Sequence, residues 1–308
     1  MPTPLAHRVA RKFRAATLDL KTLQITSENL EDVLNDLIAG VEDIEKVEQE
    51  LGLDLRNMTK IMQASPHNDD LHHNGEDVLT HIGWVLDDVA NLTANMSAEK
   101  QLLLKLTALC HDLGKPYTYK FNEEKQRHTF YDHATKSVQV AEALLARHKD
   151  ALGELYQDVL DFTRLHDVFF ALVHDRSKQP AGSTRYVKNL LQESVYRKGL
   201  LNDLLTFAKA DSARARSHAE SIKDFEGVVS DTARAEQEAA AEAERAEAAR
   251  VRLLAVTEQR MPEIRALLEI EAPEAAALLP DLSAVRRVLG QAKRYDIIKG
   301  IEGILRRP

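Results

Sequence analysis

The chain holds a single cysteine, Cys110, in 308 residues. That excludes an intramolecular disulfide framework and suits a reducing compartment. No apolar run approaches the roughly 20 residues that a membrane-spanning helix requires. An excess of positive charge is missing too. The formal net charge is −8 at pH 7, whereas a protein that follows an extended nucleic acid presents a clustered basic surface to the phosphates. A short oligonucleotide end or a free nucleotide stays compatible, because bound divalent cations supply attraction that the surface lacks. No GxxxxGK[ST] run occurs, which excludes a P-loop kinase. Neither internal repeats nor β-rich segments stand out, so the fold class expected is all-α.

The stretch from Met1 to Leu20 carries Arg8, Arg11, Lys12 and Arg14 without the apolar run and cleavage site of a secretory signal. It reads as a solvated helix, and the protein as cytoplasmic.

Three regions are expected. Residues 1–66 read as N-terminal helices, with Leu30, Val33, Leu34 and Leu37 at helical spacing over Asn29 to Ala39 and the same style over Val41 to Leu51. A polar breaker around Ser65 to Asp70 opens a second region, 67–216. The third, 217–308, begins in a run dominated by Ala, Glu and Arg, all strong helix formers whose opposite charges pair at helical spacings. It predicts a long exposed helix or a helical hairpin arm. Leu and Ile return after Pro262, in Leu267-Leu268 and Ile297-Ile298-Ile301-Ile304, and predict helices that pack on the body or on another subunit, a route to a homo-oligomer.

The chemistry concentrates in the middle region. In Ala108-Leu109-Cys110-His111-Asp112-Leu113-Gly114-Lys115-Pro116 an apolar helix delivers an imidazole and a carboxylate side by side and is stopped by Gly114 and Pro116. Imidazole nitrogen and carboxylate oxygen together suit borderline divalent metals, and the two oxygens of a carboxylate can bridge a pair of ions. Cys110 reads as core. His81 lies beside the stripe Val78, Ile82, Val85 and Val89. Asp211 shares a helix face with residues 201, 204 and 208, and a carboxylate facing a core needs a partner. His133 opens a helix that continues through Ser137, Val140, Ala141 and Leu144, and His166 shares a face with Val159, Phe162, Thr163 and Phe170. Any one of these reads equally as a packed histidine; the ensemble points to metal. A second His-Asp pair, His174-Asp175, reads as structural or incidental. The break Gln179 to Ser183 reads as a loop able to cover a site. Arg185, Lys188 and Arg197 could meet an anionic substrate, but read more readily as solvated cations.

In order, His81, the pair His111-Asp112 and the distant Asp211 resemble the signature of the HD-domain metal-dependent phosphohydrolases. The wording around them, His73-Asn74-Gly75-Glu76-Asp77-Val78, the His111-Asp112 run, and Phe130-Tyr131-Asp132-His133 followed by Ser137, Ala141, Leu145, Arg147 and Lys149, is similar to HD domains associated with bacterial tRNA nucleotidyltransferases and RNA-end-healing phosphatases. The resemblance covers residues 67–216. It implies an HD-domain helical bundle and two divalent ions drawn from Mn, Ni, Co, Fe, Zn or Mg. His81, His111, Asp112 and Asp211 would hold one ion, and His133 with His166 the other, with Asp112 bridging. A water activated between the ions is the nucleophile implied. Lys115 would stabilise charge on the phosphoryl oxygens, His73 would contact substrate, and Asp132 or Asp167 would orient ligand imidazoles. The substrate implied is a phosphorylated nucleotide or short RNA end, as a phosphomonoester or a 2′,3′-cyclic phosphodiester. The paired-Asp polymerase signature of nucleotidyltransferases is missing before residue 67, so CCA addition is not expected. Two other readings stand beside this one. The same six residues are similar to the ligands of HD-fold diiron oxygenases, and the flanking helices would also suit an assembly or sensing protein with a structural metal.

Overall fold

The computed structural model describes residues 18–65, 75–124, 126–167, 199–214 and 219–306. The chain divides into two compact units, Met1–Asp231 and Thr232–Pro308.

In the first unit, α1 (Leu30–Gly40), α2 (Ile44–Leu51), a 3₁₀ turn (Leu55–Asn57) and α3 (Met58–Ala64) come first. Leu30, Val33, Leu34 and Leu37 of α1 are buried, as their spacing predicts. The second helix begins three residues later than expected because Val41 is extended and Asp43 takes a left-handed conformation. These helices and the middle region share one apolar cluster. Leu34, Leu55, Met58 and Met62 belong to the same core as Ile82, Leu104, Val140 and Phe162.

Next come α4 (Val78–Leu92), α5 (Ala98–Cys110), the short α6 (Lys115–Thr118), a hairpin of β1 (Lys120–Asn122) and β2 (Arg127–Thr129), and α7 (His133–Leu145). A 3₁₀ turn, α8 (Lys149–Leu152), α9 (Glu154–Leu165) and α10 (Leu201–Ser212) complete the bundle. Helix α4 is started by Asp77, whose carboxylate accepts from the Thr80 backbone N–H at 2.8 Å, a cap that satisfies an otherwise orphaned donor. Ser97 caps α5 in the same way. The helices pack α4 on α5, α9 on α5 and α7, and α10 on α4 and α5. Asp203 of α10, buried, receives Lys100 of α5 on both carboxylate oxygens at 3.0 and 2.8 Å. At the other end of α10 the Arg214 guanidinium stands 4.7 Å from the centre of the Trp84 ring of α4. These contacts fix where α10 delivers Asp211.

Among the described residues the fold is all-α apart from the hairpin, which sequence patterning did not single out. Its strands are antiparallel, with Lys120 opposite Thr129, Phe121 opposite His128 and Asn122 opposite Arg127. Strands of three residues are too short for an alternating pattern to stand out.

Helix α11 (Ala219–Glu271) is one continuous helix of 53 residues and not a helical hairpin. Phe225 and Val229, near its start, lie in the core of the first unit. It runs through Pro262, so the tail begins later than the proline implies. The second unit adds α12 (Pro273–Ala276), α13 (Leu282–Gln291) and α14 (Tyr295–Leu305). Its own core joins Ile264, Leu268, Val285, Leu289, Ile297 and Ile301. No helix among the described residues is long and apolar enough to cross a membrane. The segment before Leu18, His67, His72, the His174-Asp175 pair, the Gln179 to Ser183 break, and Arg185, Lys188 and Arg197 lie outside the described residues.

Candidate metal centre

Five of the bundle's segments end or begin at one place. Helix α4 brings His81 in its second turn, α5 ends on His111 and Asp112, α7 opens with His133, α9 ends on His166, and α10 brings Asp211 near its last turn. The six side chains form two groups of potential ligands. His81, His111 and Asp211 make one, Asp112, His133 and His166 the other, and within each group the ligand atoms lie within 4.8 Å of one another. Asp112 faces both. Its Oδ2 is 3.2 Å from His111 Nε2 and 3.6 Å from His81 Nε2. Its Oδ1 is 3.4 Å from His133 Nε2 and 3.6 Å from His166 Nε2.

The rings are aimed by the backbone. His111 Nδ1 lies 2.9 Å from the Ala108 carbonyl, His133 Nδ1 2.9 Å from the Phe130 carbonyl, and His166 Nδ1 2.8 Å from the Thr163 carbonyl. In each case the acceptor is three residues earlier. A carbonyl can only accept, so each Nδ1 carries the proton, and in the neutral ring each Nε2 carries a lone pair. This corrects the expectation that Asp132 or Asp167 orients the imidazoles: carbonyls at the adjoining turns do so. His81 differs. Its Nδ1 faces the buried Glu76 carboxylate at 3.8 Å, and its Nε2 meets Asp211 at 2.9 Å. Glu76 enters the sequence reading only as part of the wording ahead of His81, with no role of its own, although it stands just before the Asp77 cap and five residues before His81.

The donor chemistry fits a cation. His133 Nε2 and His166 Nε2 face each other at 3.1 Å, with Asp112 Oδ1 close to both. When both rings are neutral, with their protons committed to carbonyls, they have no hydrogen bond to make through those nitrogens. Three converging lone pairs call for a positive charge between them.

The electrostatics of the two groups differ. Burial would lower the pKa of His111, but the carboxylates of Asp112 and Asp211 overrule it and raise the value to about 10. Asp211 answers in kind: burial opposes its ionisation, yet His111 holds it well below the usual carboxylate range. His81 is lowered, chiefly by burial. His133 is lowered to about 4 by burial, the Lys115 ammonium and His166. In the metal-free protein a proton is thus favoured on His111 and disfavoured on His133, and an ion held by the first group would displace that proton from His111 Nε2.

Gly114 closes the arrangement. A Cβ there would lie 2.3 Å from the His133 carbonyl oxygen and 2.5 Å from the Ser137 backbone nitrogen. With no side chain, its N–H donates to the buried Ser137 hydroxyl at 2.8 Å, and the start of α7 is drawn against the end of α5. Lys115, next in sequence, places its ammonium 2.8 Å from Asp112 Oδ2. Phe207 walls the other side, its ring edge-on to His111 at 5.4 Å. Cys110 is buried, its thiol pushed up to about 12 by burial, as core packing requires. His73 lies outside the described residues.

The family model for the HD domain matches residues 78–172, which takes in His81, His111, Asp112, Lys115, His133 and His166. Asp211 lies beyond the matched stretch. The match supports the HD superfamily for this domain, and HD domains are generally metal-dependent phosphohydrolases. A search of curated proteins returns no match.

Proposed function

We propose that the protein is a metal-dependent phosphohydrolase that acts on a nucleotide or RNA-end phosphate, either a phosphomonoester or a 2′,3′-cyclic phosphodiester. The catalytic domain in this reading is 67–216, with 1–66 as accessory helices and 217–308 as the arm. The observation that carries it is Asp112, whose two oxygens face two separate ligand groups at 3.2 and 3.4 Å. His81, His111 and Asp211 would hold one divalent ion, His133 and His166 a second, and Asp112 would share both. Ions so held supply Lewis acidity and bring the pKa of water toward neutrality.

The remaining work falls to the chain. The i−3 carbonyls keep three imidazoles in the tautomer that offers Nε2. Lys115 holds the shared carboxylate in place and sets a fixed positive charge at the rim, where an anionic phosphoryl group would arrive. Phe207 and the buried aliphatic residues behind His111 exclude water from the rear of the site. The narrower likeness to domains associated with tRNA nucleotidyltransferases and RNA-end healing favours a 2′- or 3′-phosphate over a triphosphate.

The test is phosphate release from nucleoside 2′-, 3′- and 5′-monophosphates and 2′,3′-cyclic phosphates, with Mn, Ni, Co, Fe, Zn or Mg added to chelator-treated protein. Release that requires an added ion and disappears in His133→Ala supports the reading. Oxygen consumption with iron, without phosphate release, would overturn it in favour of an oxygenase.

A further inference from the structure

Aromatic residues are scarce in this chain, at one Trp, seven Tyr and eight Phe. Five of these sixteen, Tyr117, Tyr119, Phe121, Phe130 and Tyr131, fall within fifteen consecutive positions, 117–131. Such crowding has a structural use in part. Tyr117 donates its hydroxyl to the Asp54 carbonyl at 3.2 Å and ties the root of the hairpin to the N-terminal helices. The other rings do something else.

They form a line that starts at the metal centre. The Lys115 ammonium, bonded to Asp112, stands 5.7 Å from the centre of the Phe130 ring. Phe130 and Tyr119 are 5.6 Å apart, Tyr119 and His128 are stacked at 4.3 Å with 20° between planes, and His128 meets Phe121 edge-on at 5.1 Å. The register explains the order: Tyr119, just ahead of β1, is two residues from Phe121 in extended chain and so lies on the same side, and Phe121 pairs directly across to His128. The line ends in solvent, with Phe121 52% exposed. Tyr131, 65% exposed, lies between Phe130, whose carbonyl aims His133, and His133 itself. Other large apolar side chains, such as Tyr295 and Ile270, are equally open to solvent, but Phe121 and Tyr131 stand in the segment that runs from the ligand Asp112 to the ligand His133.

We propose that this hairpin and Tyr131 form a base-stacking platform of the site, with Phe121 and Tyr131 as its specificity-determining residues. The occupant is the nucleobase of the substrate whose phosphate lies at the metal centre. Every base has a flat π face, so stacking accepts all four and rejects phosphates that carry no ring. Nothing in the sequence reads a base, and a stacking surface does not need to. The inference rests on the phosphohydrolase reading for its substrate, and its test separates the two.

The experiment compares kcat/KM for adenosine, guanosine, cytidine and uridine monophosphates with that for ribose 5-phosphate, in metal-loaded wild type, Phe121→Leu, Tyr131→Leu and Tyr131→Phe. In parallel, quenching of 1,N6-ethenoadenosine 5′-monophosphate fluorescence reports stacking without turnover. The wild type should favour all four nucleotides over ribose 5-phosphate by about tenfold or more and quench the probe. Both leucine variants should lose most of that preference and of the quench, while Tyr131→Phe, which keeps the ring, retains them. Equal preference and quenching in all four proteins would overturn the platform, as would a wild type that treats ribose 5-phosphate like a nucleotide. If no substrate is hydrolysed, the hydrolase reading fails and the quenching alone decides the platform.

Discussion

His133 Nε2 and His166 Nε2 face each other at 3.1 Å while their Nδ1 atoms lie against the Phe130 and Thr163 carbonyls. Helices α7 and α9 are thus arranged so that two lone pairs converge beside Asp112 Oδ1. A cation relieves that opposition. Adding Mn or Ni to chelator-treated protein should therefore stabilise the fold, by about 2.7 kcal/mol at a hundred times Kd. Thermal melts with and without the ion measure it. His133→Ala combined with His166→Ala should shrink the gain, and an unchanged shift in that variant would remove the second group from the account.

Gly114→Ala should both destabilise the protein and weaken the centre. The added methyl would stand 2.3 Å from the His133 carbonyl oxygen, so α7 must move, and overpacking of this kind costs about 1–3 kcal/mol. Because α7 begins at His133, its shift carries a ligand away. Urea melts and metal titration together check it; a variant as stable and as metal-competent as wild type contradicts the tight approach.

The metal-free protein should lose stability on both sides of about pH 6.5. His133, lowered to about 4 in the fold, is neutral there while its unfolded form takes up protons. The stability it contributes above pH 6.5 is lost as pH falls toward 4. His111, raised to about 10, works in the other direction: its contribution is complete below pH 6.5 and is lost as pH rises through 10. Each effect is on the order of a few kcal/mol. Melts of chelator-treated protein from pH 4 to 10 should trace a dome, and His111→Ala should lose the alkaline limb. A profile that rises steadily to pH 10 would contradict the trapped proton.

Cys110 should resist alkylation by iodoacetamide at pH 8 in the folded protein and react once unfolded, since burial pushes its thiol up to about 12. Rapid labelling of native protein, followed by mass spectrometry, would show the helix end at Cys110 opening toward solvent.

Much of this site was legible in the sequence because its ligands sit on helices whose apolar periodicity fixes their direction. His81 follows from Val78, Ile82 and Val85, and Asp211 from its place beside Leu204 and Ala208. Their facing became visible only in three dimensions, since His81 and Asp211 are 130 positions apart yet 2.9 Å in space. The aim of the imidazoles was not legible at all, because a backbone carbonyl three residues back carries no residue-type signal. Nor was the hairpin, whose three-residue strands are too short for a period. The continuous α11 was one of two outcomes that Ala, Glu and Arg allow, as helix formers do not say where a helix ends.

If Asp112 is shared by two metal positions, its loss should empty both, and metal content reads this out. Purified wild type and Asp112→Ala should be analysed side by side for bound Mn, Fe, Co, Ni and Zn, with circular dichroism to verify folding. About two ions per chain are expected in the wild type, with loss from both positions in the folded variant. A wild type with no metal after reloading, or a folded variant that retains both ions, would contradict it.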